Sequence, residues 1–146
     1  MTVDAQCELE TVEDRARIAV IDDDAVFVDL MHDLLATGEG YHVVSNPNWV
    51  QSYEFIKEHR PDLVILDLMM GREQTGWAVL ELLREDPSTA HIPVILCSAA
   101  EPSLRQHANR FEGIGVVEAV SKPFDVDHLL GVIAKLLGQR TPNVVN

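Results

Sequence analysis

The sequence of 146 residues predicts an α/β fold, a five-stranded parallel sheet with helices on both faces. Short runs that are apolar throughout, without polar alternation, indicate strands buried on both sides. Five such runs alternate with amphipathic segments of about ten residues or more, which indicate helices. Parallel strands joined through helices require right-handed crossovers, so helices cover both faces. We therefore expect a doubly wound (βα)5 sandwich.

The elements follow one another in a regular order. The predicted strands have the sequences RIAVID (17–22), YHVVS (41–45), LVILD (63–67), IPVILCS (92–98) and GVVEAVS (115–121). Helices are predicted after them at 25–37, 48–59, 76–85, 102–111 and 125–137. The first helix places Phe27, Leu30 and Met31 on one apolar face, and the last does the same with Val126 and Leu129. Gly38 and Gly138 are predicted to be the C-caps of these two helices.

Composition narrows the function and divides the chain. With 24 acidic and 11 basic residues, the net charge is −13, which argues against a nucleic-acid-binding surface. No apolar run reaches the ~20 residues of a membrane span, and the acidic start lacks the features of a signal peptide, so a cytoplasmic location is predicted. Cys7 and Cys97 are expected to be free thiols. We predict an acidic extension at 1–15, one domain at 16–138 and a tail at 139–146.

Polar residues with distinctive chemistry follow the predicted strands. Three aspartates, Asp22, Asp23 and Asp24, come at the end of the first strand. Asp67, Ser98 and Lys122 come at the ends of the third, fourth and fifth strands. Ligands of such sheets bind beyond the carboxyl ends of the strands, so these side chains are expected to form one site. Clustered carboxylates repel one another unless a cation lies among them, and hard oxygen ligands favour Mg²⁺. In this site Asp67 is a candidate nucleophile for phosphoryl transfer, with Ser98 and Lys122 contacting the phosphoryl oxygens.

Four segments carry a family resemblance: VIDDD, PDLVILDLMMG, PVILCSA and SKPF. Together they resemble the receiver domain of bacterial two-component response regulators, of the chemotaxis-regulator kind, over 16–138. The resemblance implies the flavodoxin-like strand order 2-1-3-4-5. It implies that Asp67 is the phosphoacceptor, that Asp23 binds Mg²⁺ directly and that Asp22 acts largely through water. The backbone carbonyl of Met69 would be a further metal ligand. Ser98 would close on the phosphoryl group and Lys122 would form a salt bridge to it.

The resemblance also implies a function and partners. A sensor histidine kinase or a histidine phosphotransfer protein would donate the phosphoryl group to Asp67 in a reaction that needs Mg²⁺. The domain would then act as a switch rather than an enzyme, catalysing only its own phosphorylation and dephosphorylation. A downstream protein partner would read the change, and a homodimer that forms on phosphorylation is compatible with this interpretation. Neither nucleic acid nor a membrane is expected to bind this domain.

The sequence departs from the family pattern in three places. In the loop after Asp67, Gly71 replaces the usual proline, and the segment REQT adds one residue before Gly76. Ala119 stands where the family usually has the aromatic residue that changes rotamer on phosphorylation. Ala100, two residues after Ser98, leaves little side chain to shield the phosphoryl group from water. These departures bear on the conformation of the loop after Asp67, on how phosphorylation is transmitted to a partner, and on the lifetime of the phosphoryl group.

Two other interpretations remain open at this point. The segment AVIDDDAV also fits the first motif of haloacid dehalogenase-like phosphatases, with Asp22 as nucleophile and Asp24 as general acid. That hypothesis lacks the later acidic metal motif, because FDVDHLLGV is typical of an amphipathic helix. It also leaves Asp67 without a function. A receiver-like binding module that works without phosphorylation is disfavoured, because all the acids and the lysine are present.

Overall fold

A computed structural model of the protein describes residues 15–68, 76–98, 117–121 and 125–139. The strands are β1 (Arg17–Ile21), β2 (His42–Asn46), β3 (Leu63–Asp67), β4 (Val94–Ser98) and β5 (Val117–Ser121). The α-helices are α1 (Ala25–Met31), α2 (Ser52–His59), α3 (Gly76–Glu85) and α4 (Val126–Gln139). A π-helical segment (His32–Gly38) continues α1, and a 3-10 turn (Trp49–Gln51) precedes α2. Within the described ranges, none of the helices combines the length and apolarity needed to cross a membrane.

All five strands form one parallel sheet in the order β2-β1-β3-β4-β5. The predicted fold class and strand order are therefore confirmed. Predicted and observed strand bounds agree to within two residues, and the predicted helix at 76–85 has the observed bounds. The helix predicted at 102–111 lies outside the described residues.

The core lies on both faces of the sheet, because side chains of the strands alternate between them. From β1, Ile18 and Val20 join α1 and α4 on one face, and Ala19 and Ile21 join α2 and α3 on the other. All five residues of β3 are buried. A strand that is apolar throughout is thus the sequence signature of a parallel strand between two helical layers.

The predicted helix ends need two corrections. Gly38 does not cap α1, because the chain continues through the π-helical segment and Gly40 takes the left-handed conformation (φ 80°) instead. Gly40 donates its backbone N–H to the carbonyl of Ala36 at 3.2 Å, as a C-capping glycine does. Gly138 is not a C-cap either, since α4 runs on to Gln139. A glycine near the end of an apolar pattern therefore indicated approximately where a helix ends, but not which residue ends or caps it.

The apolar faces also differ in detail from the prediction. Phe27, Met31 and Leu129 are buried as expected, but Leu30 is 42% exposed and Val126 is 37% exposed. Leu30 lies to one side of the stripe formed by Phe27, Met31 and Leu35, and Val126 is the first residue of its helix. Helical spacing alone therefore overestimated burial beside the stripe and at the start of a helix.

A polar cluster joins β1, β2 and α2 at the edge of the sheet where the strands begin, which we call the N-terminal edge. The Nε of Arg17 donates to Nδ1 of His42 at 3.2 Å, and its Nη1 donates to the backbone carbonyl of His59 at 2.5 Å. The backbone N–H of Arg17 donates to a carboxylate oxygen of Asp62 at 2.8 Å. Burial, with the positive charge of Arg17 as a second cause, lowers the pKa of His42 below its ordinary value. The cluster therefore requires a neutral His42.

Stability is expected to fall when His42 is forced to take a proton. Because its pKa is lower in the folded than in the unfolded protein, the unfolded state binds the proton more readily, and stability is lost as pH falls below about 6.5. Urea unfolding between about pH 7 and pH 5 should show this loss, and His42→Gln should reduce it. His128→Gln removes an exposed histidine of α4 and serves as the control. Equal pH dependence in the parent and His42→Gln would contradict the assignment.

Candidate functional site

The end of β1 carries three consecutive aspartates that have different environments. Asp22 is buried, and one of its carboxylate oxygens accepts the backbone N–H of Asp24 at 2.9 Å. The Asp24 carboxylate accepts the backbone N–H groups of Val26 and Phe27 at 3.0 and 3.4 Å, which makes Asp24 the N-cap of α1. Asp23 is exposed between them. The sequence DDD therefore supplies one buried carboxylate, one exposed carboxylate and one helix cap.

Asp67 is brought beside Asp22 by the register of β1 and β3. Ile21 pairs with Leu66 in that register, so Asp22 and Asp67 follow the last pair on adjacent strands. Asp67 is the last residue of β3 and is only 6% exposed. A side chain at the end of a central strand has neighbouring strands on both sides, which fixes its position with little freedom.

Asp22, Asp23 and Asp67 form a carboxylate cluster. One oxygen from each lies within 4.8 Å of the others. At that separation the two buried carboxylates repel each other by about 3 to 4 kcal/mol at an effective dielectric near 20. The donor set contains oxygen atoms only, and its exposed member leaves the cluster open to solvent on one side. These residues fit a hard divalent cation such as Mg²⁺, which takes a few carboxylates and keeps several waters.

Gly76, the first residue of α3, lies against the backbone that follows Asp67. Its N–H donates to the carbonyl of Leu68 at 3.0 Å. A Cβ on Gly76 would lie 2.7 Å from the Cα of Leu68, and even closer to the backbone oxygen of Asp67. This requirement was not predicted, because it depends on how α3 approaches β3. The glycine at the predicted start of a helix was the one available signal.

The structure describes the other predicted site residues only in part. Ser98 is the last residue of β4, directly after Cys97, the register partner of Asp67, so its backbone lies at the same edge. The side chain of Ser98 is not among those described. Met69 and Lys122 lie outside the described residues. The proximity of Asp22, Asp23 and Asp67 is thus observed, and the roles of the remaining residues stay predictions.

Comparison with known proteins agrees with this arrangement. The family model of the response regulator receiver domain matches residues 18–134. The chain belongs to this family. It is therefore a receiver domain of two-component signalling, as its four motifs predicted. The phosphatase interpretation lacks support from the structure as well, because the carboxylate it needs as general acid, Asp24, caps α1.

Individual relatives show how far the similarity extends. The DNA-binding dual master transcriptional regulator RpaA of Synechocystis sp. is 34% identical over 130 residues, 88% of this chain. The match covers 51% of RpaA, so the chain spans about half the length of that relative. The polar-differentiation response regulator DivK of Brucella anthropi is 28% identical over 121 residues, 83% of this chain and 95% of DivK.

Among solved structures, the receiver domain of the sensor histidine kinase PA1611 from Pseudomonas aeruginosa PAO1 superimposes with a TM-score of 0.71. The match has 18% identity and covers 86% of this chain and 99% of that domain, which shows a common fold. That structure has a magnesium ion coordinated in its active-site cleft.

Replacing Gly76 by alanine is expected to displace the backbone that holds Asp67. The added methyl group overlaps backbone atoms that cannot rotate away, so the free energy of unfolding should fall by about 1 to 3 kcal/mol in urea titrations. Gly131→Ala is the matched control. No atom lies within 4 Å of a Cβ there, and the change within α4 should stabilise the protein by roughly 0.5 to 1 kcal/mol. If Gly76→Ala were as stable as the parent, the proposed close packing would be wrong.

Proposed function

We propose that this receiver domain accepts a phosphoryl group on Asp67 and signals through the resulting change in shape. The position of Asp67 supports this most directly: it is a nearly buried carboxylate at the end of the central strand, beside two further carboxylates. Asp23, the exposed member of the cluster, leaves it open to solvent, which would give a phosphoryl donor access. A carboxylate in this setting can attack phosphorus and form an aspartyl phosphate.

In the proposed reaction, positioning and charge contribute more than covalent chemistry. Asp22 and Asp23 would hold a Mg²⁺ ion with Asp67 and the carbonyl of Met69, and the ion would neutralise charge on the phosphoryl oxygens. Ser98 would donate a hydrogen bond to the phosphoryl group, and Lys122 would pair with its negative charge. The magnesium ion in the cleft of the PA1611 receiver domain supports the assignment of this metal.

The domain would act as a switch, not as a turnover enzyme. The phosphoryl donor would be the phosphohistidine of a sensor histidine kinase or of a histidine phosphotransfer protein, and a downstream protein would read the phosphorylated form. No binding of this domain to nucleic acid or to a membrane is proposed. A phosphorylation-dependent homodimer remains compatible with the proposal. We further propose a cytoplasmic location, since the proposed phosphoryl donors act there.

We propose that the conformational change caused by phosphorylation is not transmitted through Ala119. This residue lies on β5, an edge strand, and its side chain is exposed. A methyl group has no rotamer to change, so a movement of Ser98 would instead be transmitted through the residues that follow it, 99–112. Those residues lie outside the described part of the chain, and their role stays a prediction of the sequence.

Phosphorylation is expected at Asp67 and nowhere else in the acidic cluster. Incubation with acetyl phosphate and Mg²⁺ should add one acid-stable, base-labile phosphoryl group, which mass spectrometry can locate after borohydride trapping. Asp67→Asn should abolish specific labelling because it removes the nucleophile. Asp24→Asn is the control, since asparagine also caps helices well and should leave labelling intact. Label on Asp22 would favour the phosphatase interpretation and contradict this proposal.

Magnesium is expected to stabilise the folded protein. An ion that binds only the native state raises stability by about 2.7 kcal/mol at a concentration one hundred times its Kd, so the melting temperature should rise by several degrees. Asp23→Ala should reduce this rise, and without metal it should melt no lower than the parent because one repulsive charge is gone. Asp29→Asn, an exposed acid of α1, should keep the full response. An unchanged melting curve in millimolar Mg²⁺ would count against the metal site.

A further inference from the structure

A groove of about 430 Å³ lies at the N-terminal edge of the sheet, opposite the carboxylate cluster. It is bounded by the end of α2 and by the segment that leads from α3 to β4. Among its lining residues, Lys57, Arg60 and His91 carry basic groups. Asp62 also lines the groove, so its lining carries both signs of charge in a chain with a net charge of −13.

Arg60 occupies a position in this groove that disfavours most side chains. Its backbone is left-handed (φ 50°, ψ 58°), and its N–H closes α2 by donating to the carbonyl of Ile56 at 2.9 Å. Glycine is the usual residue at such a helix end, because other residues are strained there. The guanidinium of Arg60 is exposed, and within the described residues it forms no ion pair or side-chain hydrogen bond. The groove therefore presents a cationic group whose charge is not neutralised locally.

The carboxylates nearest the groove already have donors. Asp86 accepts hydrogen bonds from the Tyr53 hydroxyl and from Ser88, and it pairs with Lys57 at 3.0 Å. These contacts, that of Tyr53 above all, hold the pKa of Asp86 well below its ordinary value. Asp62 accepts the backbone N–H of Arg17. An additional carboxylate entering the groove would therefore find Arg60 available, in a lining that also includes His91.

The chain itself has carboxylates that are close in sequence to this edge. Residues 1–14 contain five acidic side chains and no lysine, arginine or histidine; the acids are Asp4, Glu8, Glu10, Glu13 and Asp14. They directly precede β1, whose first residue, Arg17, contacts Asp62 in the groove wall. Fourteen residues can extend over about 45 Å, so the segment can reach the whole groove. Tethering gives it a high effective concentration, which compensates for the weakness of each surface ion pair.

We propose that residues 1–14 of this chain, which lie outside the described residues, bind in the groove at the N-terminal edge through their carboxylates. The carboxylates would pair with Arg60 and the neighbouring basic groups. The contact covers the end of the domain opposite the proposed phosphorylation site, and it is independent of the proposed function.

A nitroxide spin label on Cys7 tests this contact in the full chain. Cys97 has no exposed surface, so a thiol reagent should modify Cys7 alone, and mass spectrometry should show a single adduct. The expected result is strong paramagnetic broadening of the amide signals of Arg60 and of residues 88–92. Signals at the opposite edge, near Asp23, should change little. Because the contact is electrostatic, raising the salt from about 0.1 M to about 1 M should weaken the broadening.

Two sets of variants separate binding from simple tethering. The first variant removes three carboxylates of the segment by combining Glu8→Gln, Glu10→Gln and Glu13→Gln, and it should reduce the broadening. The second, Arg60→Gly, should also reduce it; glycine suits the left-handed backbone there, so the fold should be preserved. Lys135→Gln removes a basic group of α4 that pairs with Glu118 instead, and should leave the broadening unchanged. Broadening that is the same in all four proteins, or insensitive to salt, would overturn the proposal.

A mixed sample distinguishes this segment from that of a second copy. Isotope-labelled protein without the nitroxide is mixed with unlabelled protein that carries it. If the contact is made within one chain, the groove signals of the labelled protein remain sharp. Broadening of those signals in the mixture would show binding between copies and would overturn the intramolecular contact.

Discussion

The parallel pairing of β1 with β3 is the interaction on which the site depends. Asp22 and Asp67 follow the last pair of this register, so the hydrogen bonds of two strands determine the separation of two buried carboxylates. Moving β1 by one residue would turn the apolar side chains Ile18 and Val20 towards the wrong helical layer. Packing of the apolar core therefore determines the register of β1 and β3. That register holds the carboxylates of Asp22 and Asp67 close together although they repel each other.

The two edges of the sheet carry different side chains for a topological reason. In a parallel sheet every strand begins at one edge and ends at the other, so residues that follow strands and residues that precede them are sorted to opposite ends. Asp22 and Asp23 follow β1 and Asp67 ends β3, while Arg17 and His42 begin strands. The N-terminal edge also contains Asp62, which accepts the backbone N–H of Arg17, so among the described residues it carries both signs of charge, whereas the carboxylate cluster at the other edge is purely acidic.

The sequence allowed the strands to be predicted well, because a strand buried between two helical layers has an unmistakable apolar run. The order of the strands came from the family resemblance, since spacing alone does not specify which strands are neighbours. Gly40 was missed as the cap of the first helix because the π-helical segment lengthens that helix beyond its apolar pattern. Gly76 was missed because its constraint is a contact with Leu68 made only in the folded chain. At the site, the clustering of three aspartates is observed, whereas the roles of Ser98, Lys122 and Met69 remain predictions.

The complete burial of β3 has a consequence for how the protein moves. Its five residues have strands on both sides and helical layers above and below, so their amides can exchange with solvent only when most of the domain unfolds. The edge strands β2 and β5 can open in smaller local fluctuations. We therefore expect Asp67 to be held by a strand that opens more slowly than β2 and β5, so that its modification would change the surroundings of a rigid support.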